Sequence, residues 1–338
     1  MRFPRRSLTV AAILVLSVVL LASSAVTAGW PERPITVVVG FAAGGVTDLF
    51  ARVVANEMAR ELGVNISVVN TPGASGGVAA DSVLRSRRDG YTWWGMADAL
   101  RGLAVMGYHR TTYQDWIPFI TASFTGVISV RADSPYSSFE ELLKAVRARP
   151  GAVTFSASSP GTTWHIGMEI LRKYGNFNYR FVPYQGSHPS QVAAMAGEVE
   201  AVFTAVGEQA ELLRSRRLRP LAVYAKEPME LPGWGTVAPI TRFIPELEPY
   251  LPFTAWVGLF VPLGVPEEAV ESITRAYAKA VQSPAVVEFA RTNYGALLGL
   301  TGDRAVEWVE RDTRRVSWLL WDLGIAKHSP EAFGIARP

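Results

Sequence analysis

The sequence predicts an α/β chain folded as two lobes, each a sheet flanked by helices, with the lobes joined by two crossover strands. Three observations carry this. From residue 35 a β-branched run, a glycine-rich loop and a helix-spaced segment recur in that order; a second such series begins after residue 126; and one late strand, FTAWVGLFVP at 253–262, leads into helical segments. Length agrees, because 338 residues at roughly 100–200 per domain give about two domains. A composition of 49% hydrophobic and 19% charged residues is that of a globular protein.

The first segment, MRFPRRSLTVAAILVLSVVLLASSAVTA, stands apart. Arg2, Arg5 and Arg6 precede an apolar run and then small residues, the pattern of a secretory signal peptide, with Val26-Thr27-Ala28 placing the cut after Ala28. The run from Leu8 to Leu21 is shorter than the roughly 20 residues that span a bilayer. Arg5-Arg6-Ser7-Leu8 partly matches a twin-arginine signal, so the export route stays open. Three of the 33 Lys and Arg residues fall in this segment and none of the 30 Asp and Glu, which leaves the mature chain neutral. A nucleic-acid partner, which needs a basic face, is therefore not expected. The chain has no cysteine, so it carries neither disulfides nor a lipid on an N-terminal Cys.

ITVVVG (35–40) reads as a buried strand, and FAAGGVTD turns the chain into a helix over 47–62 that Gly63 ends. NISVVN (65–70), the loop TPGASGG, a helix over 78–88 and YTWWGM (91–96) repeat the pattern and imply a parallel sheet with crossover helices. The second series opens with GVISVRADSPY (126–136). Next come SFEELLKAVRARPG, a helix with Ser138 and Glu141 in capping-box spacing, and then VTFSAS, TTWHIGMEILRKYG, YRFVPY, SQVAAMAGE, VEAVFTA, GEQAELLRSR and RPLAVYA as alternating strands and helices. Residues 266–325 read as helices without strands of their own, which must pack on the first sheet. The lobes are thus residues 29–128 plus 256–338, and residues 129–255. Two crossovers make a hinge and a cleft, an architecture suited to binding.

Gly73-Ala74-Ser75-Gly76-Gly77 fits the G-x-S-x-G pattern of a hydrolase nucleophile elbow. An elbow needs a strand running straight into the turn, whereas Asn70-Thr71-Pro72 intervenes, and no spacing singles out His165, His188 or His328 as a partner. A secreted serine hydrolase using Ser75 is the alternative reading. GFAAGG has neither G-x-G-x-x-G spacing nor a following Gly-Lys-Ser/Thr. What remains of both motifs is their physics: glycines let backbone N–H groups face an anion at a helix N-terminus, a carboxylate as well as a phosphate. His165 reads as a packing or hydrogen-bonding histidine. No H-E-x-x-H and no Cys/His cluster occurs, so neither a metal nor a cofactor is expected. With ten tryptophans in the chain, Trp164 and Trp256 read first as core.

The opening WPERPITVVVGFAAGGVTDLFARVV, through NTPGASGG and DGYTW, resembles that of the substrate-binding proteins of tripartite tricarboxylate transporters, the Bug family. The likeness continues through SSPGTTWH, FVPYQGS, GEVEAVF, RPLAV and FTAWVGLFVPLGVP, in order along the mature chain. It implies a type II-like periplasmic binding protein of the Venus flytrap kind, a monomer without catalysis. Such a protein closes on a small organic carboxylate anion and delivers it to membrane permease subunits, or serves a membrane receptor as a sensor. By the resemblance, ligand-facing positions in the first lobe fall on the loop Phe41 to Asp48, including Ala43, Gly44, Gly45, Thr47 and Asp48, and on Ser75 and Gly76. In the second lobe they fall on Ser158, Ser159, Thr162, Thr163 and His165, on Tyr184, Gln185 and Gly186, and on Thr204; Trp256 joins them as a candidate pocket wall. The family often has proline at Ala43, a basic residue at Gln185, glycine at Ser75 and aspartate at Thr204. These departures lean away from amino acids and highly charged tricarboxylates, and Trp164 and Trp256 then suit an apolar or aromatic acid.

Overall fold

Strand β1 (Ile35–Val39) opens the first sheet and is buried along almost its whole length, and the computed structural model describes residues 29–231 and 233–338. The signal segment and its cut after Ala28 lie outside the described residues. After β1 come α1 (Val46–Leu62), β2 (Ile66–Asn70), α2 (Gly77–Leu84), β3 (Thr92–Ala97), the single turn α3 (Leu100–Leu103) and β4 (Trp116–Phe124). α1 buries Val46, Phe50, Val54 and Met58 at helical spacing against the sheet and ends at Gly63, whose φ of 70° is the left-handed conformation that closes a helix.

The chain changes sheets at Thr125. β5 (Gly126–Arg131), α4 (Phe139–Ala148), β6 (Thr154–Ser156), α5 (Thr163–Tyr174), β7 (Arg180–Phe181), α6 (Ser187–Ala196), β8 (Ala201–Ala205), α7 (Val206–Arg214) and β9 (Leu218–Val223) build the second lobe. A small antiparallel pair, β10 (Met229–Leu231) with β11 (Gly235–Val237), follows. β12 (Ala255–Pro262) then returns to the first sheet, and α8 (Glu267–Ala280), α9 (Pro284–Thr292), β13 (Gly295–Leu300) and α10 (Gly302–Asp322) complete it. The strand orders are β13-β4-β12-β3-β1-β2 and β7-β6-β8-β5-β9. Both sheets lie in one compact unit, residues 33–338.

The expectation of parallel pairing holds for two of the five pairings in the first sheet and two of the four in the second. β1 pairs parallel with β2 and β3, and β6 with β7 and β8, but β12 is antiparallel to β3 and β4, and β5 to β8 and β9. Direct passage from β4 in one sheet to β5 in the other, and the late return of β12, impose that reversal. The expectation of a strandless C-terminal region is corrected by β13, which pairs with β4. Only Leu300 of β13 is buried, so its residues lack the apolar run that marks a strand. β4 was hidden by Pro118, a residue that central strands exclude. The pairing with β13 starts only at Ile120, so β4 is an edge where the proline sits. The capping box of α4 is half formed: Ser138 Oγ accepts from the Glu141 N–H, while the Glu141 carboxylate accepts from the backbone and hydroxyl of Ser137.

Candidate ligand-binding cleft

Two glycine-rich loops at the carboxyl ends of β1 and β2 meet at the cleft. They touch directly, since a Cβ on Gly40 would lie 2.8 Å from Gly76 Cα. Asp48 and Asn70 freeze the first loop. The buried Asp48 carboxylate accepts from Gly44 N at 3.0 Å and Asn70 Nδ2 at 2.9 Å and pairs with Arg52 at 2.9 Å. Asn70 Nδ2 also donates to the Phe41 carbonyl at 2.9 Å. Burial works against the Asp48 charge, but the hydrogen bonds from Arg52, Gly44 and Asn70 outweigh it and hold the carboxyl below its ordinary value. Asp48 and Gly44 therefore organise the loop, with the Gly44 N–H committed to Asp48.

Between the lobes lies a cavity of about 30 Å³. Gly45, Val46 and Thr47 line it from the head of α1, Ala97 and Asp98 from the end of β3, and Ala255 and Val257 from β12. The second lobe contributes Ser158, Thr162, Thr163, Trp164, Ser187 and Glu208. Gly45 caps α1 without any side-chain cap of its own helix. The first N–H groups of a helix have no intrahelical acceptor, so this wall presents donors backed by the positive end of the helix dipole. The cavity walls thus combine backbone donors, hydroxyls, one indole and two carboxylates.

Of the residues expected from sequence, Gly45, Thr47, Ser158, Thr162 and Thr163 come together on this cavity. The others lie outside its lining. Ala43 is exposed. Ser75 Oγ donates to the Pro160 carbonyl at 2.7 Å, across the cleft, and the Gly76 N–H donates to Gly73 within its own turn. That hydroxyl, expected to meet a ligand or water, holds a carbonyl of the other lobe. Ser75 has φ 51° and ψ 34°, a left-handed backbone as strained as an elbow's, but the hydroxyl points at no histidine. Ser159 Oγ donates to the Tyr184 carbonyl and Tyr184 Oη to Glu198. The Gln185 carbonyl accepts from Ala42 N at 3.4 Å, and that of Gly186 from Ser190 Oγ.

Three expected ligand contacts are core groups. His165 Nδ1 accepts from the Gly161 N–H at 3.1 Å, and the ring lies 4.5 Å from that of Phe181. Burial and the nearby Arg172 charge lower its pKa to about 4. Thr204 Oγ1 is fully buried and accepts from Gln191 and Gln209, both at 3.1 Å. Trp256 packs within the first lobe, its Nε1 donating to Asp312 at 2.6 Å. Trp164, set beside the Phe203 ring, is the tryptophan that lines the cavity.

Sequence reasoning missed the charged groups. Arg101, 2% exposed, bridges Asp98 and Asp312, each at 2.5 Å, and donates to Thr163 Oγ1 of the other lobe. Asp312 is also paired with Arg315 at 3.1 Å, so the buried Asp98 carboxylate shares its cation, Arg101, with a neighbour that has a second one. Burial, reinforced by repulsion from Asp312 and Glu208 and opposed by Arg101, raises Asp98 to about 7. Glu208 sits on α7, one carboxylate oxygen accepting from Val46 N across the cleft at 3.1 Å and the other from Ala205 N at 3.0 Å. Burial raises its pKa, against hydrogen bonds from Val46, Ala205 and Ser187. The signal available was position: Asp98 follows β3 and Glu208 follows β8, at strand carboxyl ends where α/β sheets bind ligands. Among the described residues no group of three or more side chains could hold a metal ion, and no helix is long and apolar enough to cross a membrane.

The model of the tripartite tricarboxylate transporter family receptor matches residues 50–297. A UPF0065 protein in the tcbD-tcbE intergenic region of Pseudomonas sp. (strain P51) is 33% identical over 267 residues, 77% of this chain and 77% of that protein. Protein BugT of Bordetella pertussis is 29% identical over 265 residues, 77% of this chain and 79% of BugT. Among solved structures, R. palustris Rpa4515 with adipate has 26% identity and a TM-score of 0.79, covering 88% of this chain and 99% of that one. The periplasmic binding protein BugD, at 22% identity, shares the fold with a TM-score of 0.80 over 88% of this chain and 100% of its own. The two-lobed binding-protein fold expected from sequence is the fold observed.

Proposed function

We infer, from the premise that this chain belongs to the tripartite tricarboxylate transporter family of receptors, that it captures a small organic carboxylate between its lobes and presents it to the permease subunits of such a transporter. The observation that carries this is the head of α1: Gly45, Val46 and Thr47 at the helix N-terminus line the interlobe cavity together with Thr162 and Thr163, and the Val46 N–H there already holds a carboxylate, that of Glu208. Donors of this kind suit a carboxylate. The adipate bound to Rpa4515 supports the ligand class.

A space of about 30 Å³ holds a water and not a dicarboxylate, so capture needs the lobes to part. The moving bodies are the two sheets with their helices. The joints are Thr125 and the segment 224–254. Closure is favoured by as much as the ligand prefers the closed form over the open one. Trp164 and Val257 on the walls favour an acid with an apolar body. The chain acts in the periplasm after cleavage behind Ala28, as a monomer and without catalysis. Ser75 serves closure and not hydrolysis.

Thermal-shift titration with mono- and dicarboxylic acids tests this. Binding at 100 times Kd stabilises by about 2.7 kcal/mol, a rise of several degrees in Tm. No response to any carboxylate overturns the ligand class, and stoichiometric labelling of Ser75 by a fluorophosphonate overturns the absence of catalysis.

A further inference from the structure

The group that meets the head of α1 in this structure is a side chain of the protein itself. Glu208 reaches across the cleft and accepts the Val46 N–H, the first residue of a 17-residue helix whose own N-cap, Gly45, offers no side chain. A Cβ built on Gly45 would lie 3.9 Å from the same carboxylate oxygen. The contact is long-range, 162 residues apart in sequence, and joins the two lobes at the place where a ligand carboxylate finds its best donors.

The carboxylate also has somewhere to go. Glu208 borders a second cavity, of about 300 Å³, lined by Gly44, Leu49, Gly207 and Arg214 among others. A rotation of the side chain into that space frees it from α1, while Arg214 on the far side of the helix stays paired with Glu211 at 3.2 Å.

We propose that Glu208 is a resident competitor for the ligand: its carboxylate occupies the ligand's anion position on α1, latches the lobes together, and swings into the neighbouring cavity when an organic anion takes its place. This rests on the carboxylate-binding reading above, which it deepens by naming the residue that sets affinity. Capture is then an exchange of one carboxylate for another on the same N–H groups. Only acids whose remaining contacts exceed what Glu208 gains from Val46 displace it, so the latch selects against weakly held small anions.

Two arms test this on the full mature chain, with Glu208→Ala and Glu208→Gln, the latter keeping one acceptor oxygen where Glu208 offers two, one to Val46 and one to Ala205. Small-angle scattering without added acid reads the latch: Glu208→Ala shifts to a larger radius of gyration than wild type, and Glu208→Gln lies between. Calorimetry with succinate, adipate and benzoate reads the competition: Glu208→Ala binds the best of the three about tenfold more tightly, the size of one charge-assisted hydrogen bond. An unchanged radius in Glu208→Ala overturns the latch, and weaker binding by both variants overturns competition by making Glu208 a ligand contact. If no probe binds wild type or variant, the carboxylate reading fails, and the scattering arm still decides the latch.

Discussion

The hydroxyl of Ser75 donates to the carbonyl of Pro160 at 2.7 Å, joining the loop after β2 in one lobe to the loop before α5 in the other. The bond exists only while the lobes are together, and it is aimed by a left-handed backbone that a serine adopts at some cost. Ser75→Ala removes an interlobe bond of about 1 kcal/mol and leaves the fold of each lobe unchanged. Affinity for the bound acid falls by up to about tenfold in calorimetry, with little change in Tm. A loss of several hundredfold would mean that Ser75 touches the ligand.

Gly207, at the head of α7, packs closely against Asn293 of the first lobe. A Cβ there would sit 1.8 Å from the Asn293 carbonyl oxygen, closer than any contact permits, so Gly207→Ala must hold that seam apart. The expected result is a scattering profile of a more open molecule and weaker acid binding, with native-like circular dichroism. A profile and affinity equal to wild type would show that the seam at Asn293 yields locally.

The first-lobe loops, the α1 helix and the alternation of the second lobe were legible because each carries a local signal: a β-branched run, a glycine, a 3.6-residue period. β13 was not, since an edge strand with one buried residue has no such pattern. Gly45, Thr47, Ser158, Thr162 and Thr163 were placed in the cavity by family likeness, whereas Asp98, Arg101 and Glu208 could not be, because their roles arise from pairing across long separations. Arg101 and Asp312 are 211 residues apart and meet only when α10 packs beside α3. His165 and Thr204 misled for the same reason, as their polar atoms are satisfied inside the second lobe by Gly161, Gln191 and Gln209.

His165 sets an acid limit on stability. Its folded pKa is about 4 against an ordinary 6.5, so the folded state binds fewer protons than the unfolded chain between these values. Its contribution is fully present above pH 6.5 and is lost as pH falls through about 4. Urea midpoints for wild type should fall more steeply over this window than those of His165→Asn, which keeps an acceptor for the Gly161 N–H without a group that titrates there. Parallel slopes for the two proteins would show that His165 does not carry the effect.

Asp98 acts in the opposite sense over an overlapping range. An acid raised from 3.8 to about 7 binds its proton more tightly when folded, so its contribution to stability is largest at low pH and declines as pH rises to about 7, after which it is flat. Asp98→Asn removes the buried charge that Asp312 and Glu208 repel while leaving Arg101 paired with Asp312. Relative to wild type this variant should gain stability between pH 5 and pH 8, by about 1–3 kcal/mol, read from urea unfolding at each pH. Arg101→Met does the reverse, leaving the buried Asp98 carboxylate without its cation while Asp312 keeps Arg315, and destabilises by about 3–5 kcal/mol at pH 8. Protonation of Asp98 relieves part of that loss, so the Arg101→Met deficit shrinks toward pH 5. A deficit independent of pH would mean that the cluster is held by packing of α3 against α10 and not by its charges.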